Sequence, residues 1–325
     1  MSRIFVSTET DPYFNVAAEY QLFLEAGEET QLFLWQNRKA VVLGRNQNIS
    51  AECDMDFLKK HNIQPVRRFS GGGSVFQDLG NVNFTFLSAE AWAAPDRYLE
   101  VIKNAVGFLG IQCDYSSRND LLTEGKKFSG HAYYTDQGKY MYHGTLMVSV
   151  DLELLSGVLH PSYLKLHSKG IDSVKSRVVN LSQINRGITA EGMKAACIKA
   201  FCREFAIENK VSYIDRHTMR PTVLGRLRSE SWIYGQSPDF EIKIEKKLSF
   251  GNVTILSNVA DGRITRIKIY TDGLDTVDFT ECEKKLTGEI FREDLIAEKV
   301  EKCYNFLYNQ FDLTRFMPAD HKEAE

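Results

Sequence analysis

A chain of 325 residues is long enough for one large domain or two unequal ones, and a domain above about 200 residues buries a substantial core. Its 40 Lys and Arg against 43 Asp and Glu leave a formal charge of -3, so no long-range field draws in nucleic acid or an anionic membrane. The six cysteines show no CxxC pair or metal-ligand spacing, no apolar run is long enough to span a bilayer, and scattered thiols without a recognisable signal peptide lead us to expect the reducing cytoplasm.

In chain order, Tyr13 to Ala26 places Phe14, Ala17, Ala18, Leu22 and Phe23 on one helical face, with Asp11 and Pro12 suited to its start. Leu32 to Trp35 and Val41 to Leu43 are short apolar runs around Gln36, Asn37 and Arg38, and they predict a hairpin. Asp54 to Lys60 fits a short helix capped by Asp54 or Asp56. Gln64 to Phe69 then leads as a strand into the stretch Arg67 to Asn83, R-R-F-S-G-G-G-S-V-F-Q-D-L-G-N-V-N.

Three consecutive glycines let the backbone reach positive φ and bring its N–H groups against something bulky and anionic. A nucleoside-triphosphate P-loop needs Gly-Lys-Ser/Thr entering a helix, and a dinucleotide fingerprint needs its glycines at a strand-to-helix junction; neither is present. The alternation at Val82, Phe84 and Phe86 after Leu-Gly-Asn predicts instead a glycine loop opening into a β-hairpin. A plain flexible turn fits the glycines equally well.

Asp96 to Leu109, with Leu99, Ile102, Val106 and Leu109 spaced by three and four, predicts a second helix. Lys126 to Tyr134 and Tyr140 to Val150 predict strands paired across Asp136 to Gly138, and Gly130 marks a bulge or a close backbone approach to a ligand. Ser173 to Leu181 reads as a loop entering a helix. A long helix from Thr189 to Ile207 turns Ala195, Ala196, Phe201 and Phe205 inward, with Cys197 and Cys202 as small buried apolar residues. Turn residues accumulate over Ile233 to Phe240, and the division expected there is 1–242 and 243–325. The second part holds the basic run Lys243 to Lys247, a hairpin of Phe250 to Leu256 with Ile264 to Tyr270, and helices near Thr280 to Leu286 and Arg292 to Leu307.

If such a chain joins a carboxylate to the α-phosphate of a nucleotide, both partners are anionic and cations must hold them together. Arg68, Lys127 and a divalent ion partly held by Asp120 suit that task. The bland readings stand beside it: Lys126 and Lys127 as an exposed turn pair, Asp120 as a turn cap, His143 as a packed strand histidine.

R-R-x-S-G-G-G-x-V-F-x-D-L-G-N, R-N-D-L, K-x-S-G-x-A, H-G-T-L, S-V-x-S-R-V-x-N-L and a Tyr-Gly-Gln-x-Pro-x-Phe linker occur in that order. On these motifs the chain resembles the lipoate protein ligase A family from the Asp11 helix start through the small C-terminal part. The resemblance implies an α+β fold: a biotin/lipoate protein ligase-like catalytic domain with mixed β-sheets and flanking helices, plus a small α/β C-terminal domain. It implies that lipoate and MgATP give lipoyl-AMP and pyrophosphate. The lipoyl group then passes to a lysine of a lipoyl domain of a 2-oxo acid dehydrogenase acyltransferase, or of the glycine-cleavage H protein, with the chain acting as a monomer.

Carried onto this sequence, the resemblance makes Lys127 the catalytic stabiliser of the activated carbonyl and phosphate, and Asp120 the magnesium ligand. Arg68 and the backbone of Gly73, Ser74, Val75 and Phe76 would hold the nucleotide, and Trp35, Phe86 and Gly72 would line a channel for the dithiolane chain. Gly71, Asp78, Asn83, Asn119, Gly130, His143 and Thr145 complete the implied binding set. Two residues depart from the family. Gln77 stands where His is usual, which removes a titratable group, and His131 stands where a small residue is usual, which adds bulk and a proton carrier beside Lys127. Acyl transfer without activation and a non-catalytic acyl or nucleotide binding module are the alternative functions; a thiol-dependent octanoyltransferase would need a cysteine that the Lys127 segment lacks.

Overall fold

The computed structural model describes residues 3–115, 120–159, 178–234, 242–260, 262–275 and 277–312. The chain divides into two compact units, Met1–Ser237 and Pro238–Glu325. In the first unit the strands are β1 (Arg3–Ser7), β2 (Gln31–Trp35), β3 (Ala40–Leu43), β4 (Gln64–Arg67), β5 (Val75–Gln77), β6 (Asn81–Ala89), β7 (Asp114–Tyr115), β8 (Asp120–Thr123), β9 (Lys126–Asp136), β10 (Lys139–Met147) and β11 (Val211–Ile214). Its helices include α1 (Pro12–Glu25), α2 (Met55–Lys60), α3 (Pro95–Phe108), α4 (Leu152–Val158), α5 (Ala190–Phe205) and α6 (Glu230–Ile233). Among the described residues no helix is long and apolar enough to cross a membrane.

Eight strands form one sheet in the order β11-β1-β2-β6-β10-β9-β8-β7, and β4-β3-β5 form a second. Both are mixed: β1 runs parallel to β2 and β11, and β3 runs parallel to β4 but antiparallel to β5. Because side chains alternate along a strand, each central strand of the large sheet feeds two cores. Leu32, Leu34, Val82, Phe84, Phe86, Tyr142 and Leu146 face a cluster completed by α3 and α5, whereas Phe33, Trp35, Leu87 and Met141 join the cluster containing α1. The continuous apolar run of β2 is therefore a strand buried on both faces. The small sheet packs Val41, Leu43 and Phe76 against Leu58, Leu155 and Val158 of α2 and α4.

The local start signals hold. Asp11 caps α1, accepting from the Tyr13 amide at 3.0 Å with Pro12 in the first turn, Asp54 caps α2 through the Phe57 amide at 2.8 Å, and Thr189 caps α5 through the Gly192 amide at 3.0 Å. On α5 Ala196 and Phe201 are buried and Phe205 half-buried, but Ala195, expected inward, is exposed on the opposite side of the helix. Cys197 is buried and Cys202 half-buried. The expected loop entry at Ser173 lies largely outside the described residues.

Two expected hairpins are not formed. β2 has both edges occupied by β1 and β6, and β3 has both occupied by β4 and β5, so consecutive strands part into different sheets. Asn15 of α1 holds the crossing segment, its Nδ2 donating to the Gln36 carbonyl at 2.9 Å and to Asn37 Oδ1 at 3.1 Å. β5 and β6 part in the same way. The turn between them is real, with Asp78 Oδ1 accepting from the Gly80 amide at 2.8 Å, but it passes the chain from the small sheet to the large one.

In the second unit β12 (Ile242–Leu248), β13 (Gly251–Ala260) and β14 (Arg263–Thr271) make an antiparallel meander. Helices α7 (Thr280–Leu286) and α8 (Glu293–Asp312) cover it, burying Ile244, Ile255, Ile267 and Val300 in a core of its own. The basic run predicted from Lys243 to Lys247 is β12, with Ile244 buried and its three lysines exposed.

Candidate active site

The glycine loop joins β4 to β5 across the end of β3. Its ends are pinned by the Arg68 amide donating to the Leu43 carbonyl at 3.0 Å and the Arg45 amide donating to the Ser70 carbonyl at 2.8 Å. Gly72 takes φ +85, and its carbonyl lies so close to Gly44 that a Cβ there would stand 1.9 Å from the oxygen. No side chain separates the two glycines.

Arg68 braces the loop from within. Its Nε donates to Ser70 Oγ at 2.9 Å, Nη1 to the Val42 carbonyl at 3.0 Å, and Nη2 to the carbonyls of Gly71 at 2.5 Å and Gly73 at 2.9 Å. Burial lowers the guanidinium pKa to about 10, which still leaves it charged at neutral pH. In a planar trans peptide the N–H points opposite the carbonyl. With the Gly71 and Gly73 carbonyls drawn to Arg68, the Gly72 and Ser74 amides are turned away from it. The direct phosphate contact expected of Arg68 is thus replaced by a contact to the loop's own carbonyls. Arg67 is likewise internal, donating to the carbonyls of Gly44, Gln47 and Ile233.

A buried polar chain ties this loop to the large sheet. Ser70 Oγ is 2.7 Å from His143 Nε2, His143 Nδ1 is 2.8 Å from Glu19 Oε1, and Thr85 Oγ1 donates to Glu19 at 2.6 Å while accepting from Trp35 Nε1 at 3.2 Å. These side chains share one face, because Thr85 stands opposite His143 and Phe33 in the ladder. One step along, Asn83 stands opposite both Thr145 and Trp35, and Thr145 Oγ1 accepts from the Gly130 amide at 3.4 Å. Gly130 pairs with Asp120.

Lys127 closes that row. Its Nζ is 2.7 Å from Asp120 Oδ1 and curls back over Gly130, where a Cβ would stand 2.8 Å from it. The side chains of Lys127 and Asp120 keep 37% and 25% of their exposure, so a ligand can reach the amine, unlike the enclosed Arg68. Asp120 is a single carboxylate, and among the described residues no group of three or more His, Cys, Asp or Glu could hold a metal alone. Such a site fits magnesium carried on nucleotide phosphates, which needs only one or two protein carboxylates.

Other expected members fall elsewhere. Phe86 is fully buried on the opposite face, stacked on Tyr98 with ring centroids 4.7 Å apart and packed against Phe201, so it shares no channel with Trp35. The strand's aromatic parity is its core parity, and the site side of β6 is Asn81, Asn83 and Thr85. Phe76 also buries its ring in a core, leaving only its backbone on the edge strand β5. Asp78 binds the amides of Gly80 and Asp151 as a turn cap. Asn119 lies outside the described residues. Glu19, Ser70 and Thr85 carry no expectation from the sequence; the readable sign is Asn15 and Glu19, two polar residues spaced by four on the buried face of α1.

His131 is not a proton carrier beside Lys127. It pairs with Gly144 and points away from His143, with Tyr142 hydroxyl 2.6 Å from Nδ1 and Ser129 Oγ 2.8 Å from Nε2. Burial, aided by the charges of Lys127 and His143, lowers its pKa from 6.5 to about 3. Between those values the unfolded chain binds a proton that the folded chain refuses, so stability falls as pH drops below 6.5. We expect urea unfolding to show a loss of up to about 1.4 kcal/mol per pH unit in that window, flattened in His131→Gln. An unchanged slope in the variant would assign the acid sensitivity to other groups.

Residues 11–202 match the family model described as lipoyl protein ligase A/B catalytic domain, and residues 237–317 match that of the bacterial lipoate protein ligase C-terminus. The chain is 27% identical to LipL1 of P. falciparum, solved in complex with lipoate, over 97% of this chain and 99% of that one, with a TM-score of 0.78. It is 23% identical to the bi-partite lipoate protein ligase of Thermoplasma acidophilum, described with its E2 lipoyl domain, over 74% of this chain and 99% of that one, with a TM-score of 0.61. A lipoate-protein ligase A bound with ATP is 22% identical over 72% of this chain and 98% of its own, also at a TM-score of 0.61.

Proposed function

The chain belongs to the lipoyl protein ligase A/B family, and we propose that it activates lipoate with MgATP to lipoyl-AMP, releasing pyrophosphate, and passes the lipoyl group to a lysine of a lipoyl domain or of the glycine-cleavage H protein. Its fold is the lipoate/biotin ligase-like catalytic architecture of mixed sheets and flanking helices, followed by a C-terminal domain. The observation that carries the reading is a shared sheet face. The glycine loop reaches it through Ser70 and His143, and Lys127 reaches it beside Gly130, Thr145 and Asn83. Relatives that bind lipoate, bind ATP, or come with an E2 lipoyl domain support the choice of substrates and acceptor.

In the first step the lipoate carboxylate attacks the α-phosphate and pyrophosphate leaves. Two anions must approach, and negative charge gathers on the phosphoryl oxygens. Lys127 meets that charge, while the outward amides of Gly72 and Ser74 donate to the phosphates without having to reorganise. Magnesium, when bound, neutralises phosphate charge, with Asp120 supplying one oxygen. Asp120 also holds the Lys127 amine over Gly130. In the second step the neutral amine of the acceptor lysine attacks the acyl carbonyl, Lys127 stabilises the oxyanion, AMP leaves, and the nitrogen loses its extra proton to the departing phosphate or to water. Lys127 forms no covalent bond because the product amide lies on the acceptor. Trp35, which stands opposite Asn83 on this sheet face, remains the residue assigned to the acyl chain.

The test is pyrophosphate release from MgATP with lipoate, octanoate or biotin. Lipoate-dependent release is expected; release with biotin alone would move the chain to the sister activity, and binding without release would make it a binding module. A second result follows from the crowding at Gly130. A methyl group there would meet the Lys127 amine at 2.8 Å and Cε at 3.0 Å. We expect Gly130→Ala to cut the turnover rate by about 10²-fold through misplacement of the amine, with thermal unfolding close to wild type. Unchanged turnover would mean that the amine works from another position.

A further inference from the structure

Gln77 belongs to a run of buried amides that reaches from α1 to the sheet face. Asn15 Nδ2 donates to Asn37 Oδ1 at 3.1 Å, Asn37 Nδ2 to Gln77 Oε1 at 2.8 Å, and Gln77 Nε2 to Asn83 Oδ1 at 2.8 Å. Asn83 Nδ2 returns a bond to Gln77 Oε1 at 3.2 Å, and Asn81 Nδ2 adds a second donor to Asn83 Oδ1 at 3.0 Å. The amides of Asn15, Asn37, Gln77, Asn81 and Asn83 are all buried. Each donor faces an acceptor, and apart from the bond that Asn83 returns to Gln77 donation runs from Asn15 toward Asn83, which sets which end of the Asn83 carboxamide is which. Oδ1 already accepts two hydrogens and Nδ2 gives one, so what Asn83 retains for a bound molecule is an N–H.

Asn83 stands between Trp35 and Thr145 in the row that ends at Lys127. We infer that Gln77 is a positioning residue, which locks Asn83 as a donor toward the anionic adenylate and does so with a group that does not titrate. The inference rests on the ligase reading above. Both side chains bonded to Gln77 are neutral amides. The titratable groups on the adjoining elements are engaged elsewhere: Asp78 with the Gly80 and Asp151 amides, Glu19 with His143 and Thr85, and His143 also with Ser70.

Gln77→Glu tests this because it keeps the shape and removes the donor. The ionised carboxylate of that variant offers only lone pairs to Asn83, which then turns its N–H groups inward and its carbonyl toward the phosphate. Burial raises the pKa of such a carboxyl, and its protonated form restores the donor. We expect lipoate-dependent pyrophosphate release by Gln77→Glu to fall at least about tenfold at about pH 8, and to recover toward wild type as pH is lowered to about 6. Gln77→Met, which breaks all three bonds without adding charge, is measured beside it and guards against a variant that does not fold. Its expected effect is a KM for ATP raised about fivefold or more with the wild-type pH profile. A Gln77→Glu enzyme that matches wild type, or is depressed equally at every pH, overturns the inference while wild-type release keeps the ligase reading intact. Wild-type protein that releases no pyrophosphate with lipoate overturns the ligase reading, and the role of Gln77 falls with it.

Discussion

Lys127→Ala is expected to lose lipoate-dependent pyrophosphate release by at least about 10²-fold, the usual cost of removing one well-placed charge donor from a reacting anion. Fold and activity separate cleanly at this position. The Lys127–Asp120 pair is partly exposed, with 37% and 25% of side-chain exposure retained. Such a pair contributes about 0–1 kcal/mol to stability, so thermal unfolding should barely move. Lys127→Arg should not rescue the rate, because a planar guanidinium is a poor replacement for a compact ammonium packed against the Gly130 backbone. Release at the wild-type rate by Lys127→Ala would remove the role given to this residue.

Gly44→Ala should be nearly as damaging for a different reason. The added methyl would meet the Gly72 carbonyl oxygen at 1.9 Å and its carbon at 3.0 Å, both backbone atoms that no rotamer change can clear. The glycine loop must lift, loosening the Arg45–Ser70 and Arg68–Leu43 backbone bonds that pin it. We expect an activation rate lower by about 10²-fold. Overpacking of this kind typically costs about 1–3 kcal/mol, or about 2–4 °C of melting temperature for each kcal/mol. Gly27→Ala is the control, since a Cβ at Gly27 meets nothing within 4 Å. Wild-type nucleotide use by Gly44→Ala would show that the loop does not need its seat on β3.

Local signals in the sequence translated well into local structure. Caps at Asp11, Asp54 and Thr189 appear where side-chain oxygens precede apolar periodicity, and the β9–β10 pair turns at Asp136 to Gly138 as its alternation implies. What the chain did not disclose is which strand edge is free. The β2–β3 and β5–β6 neighbours look like hairpins because turn residues lie between them, yet neither pair bonds to itself: β2 joins β1 and β6, β3 joins β4 and β5, and β6 joins β2 and β10. Parity misled in the same way at Phe86. An aromatic side chain invites an acyl-channel role, but on β6 the aromatics mark the core face and the site takes the polar parity. Glu19, Ser70 and Thr85 come from α1, the glycine loop and β6, and nothing in their spacing announces that they meet at His143. Arg68 was legible as important and not as internal, because only the folded loop reveals that its own carbonyls take the guanidinium.

The most direct measurement is the mass of a purified lipoyl domain after incubation with this protein, lipoate and MgATP. The domain should gain one lipoyl group at a single lysine, with no gain when ATP is withheld or Lys127→Ala is used. A domain of unchanged mass, or one modified equally without ATP, would contradict a site that joins carboxylate to nucleotide before passing the acyl group on.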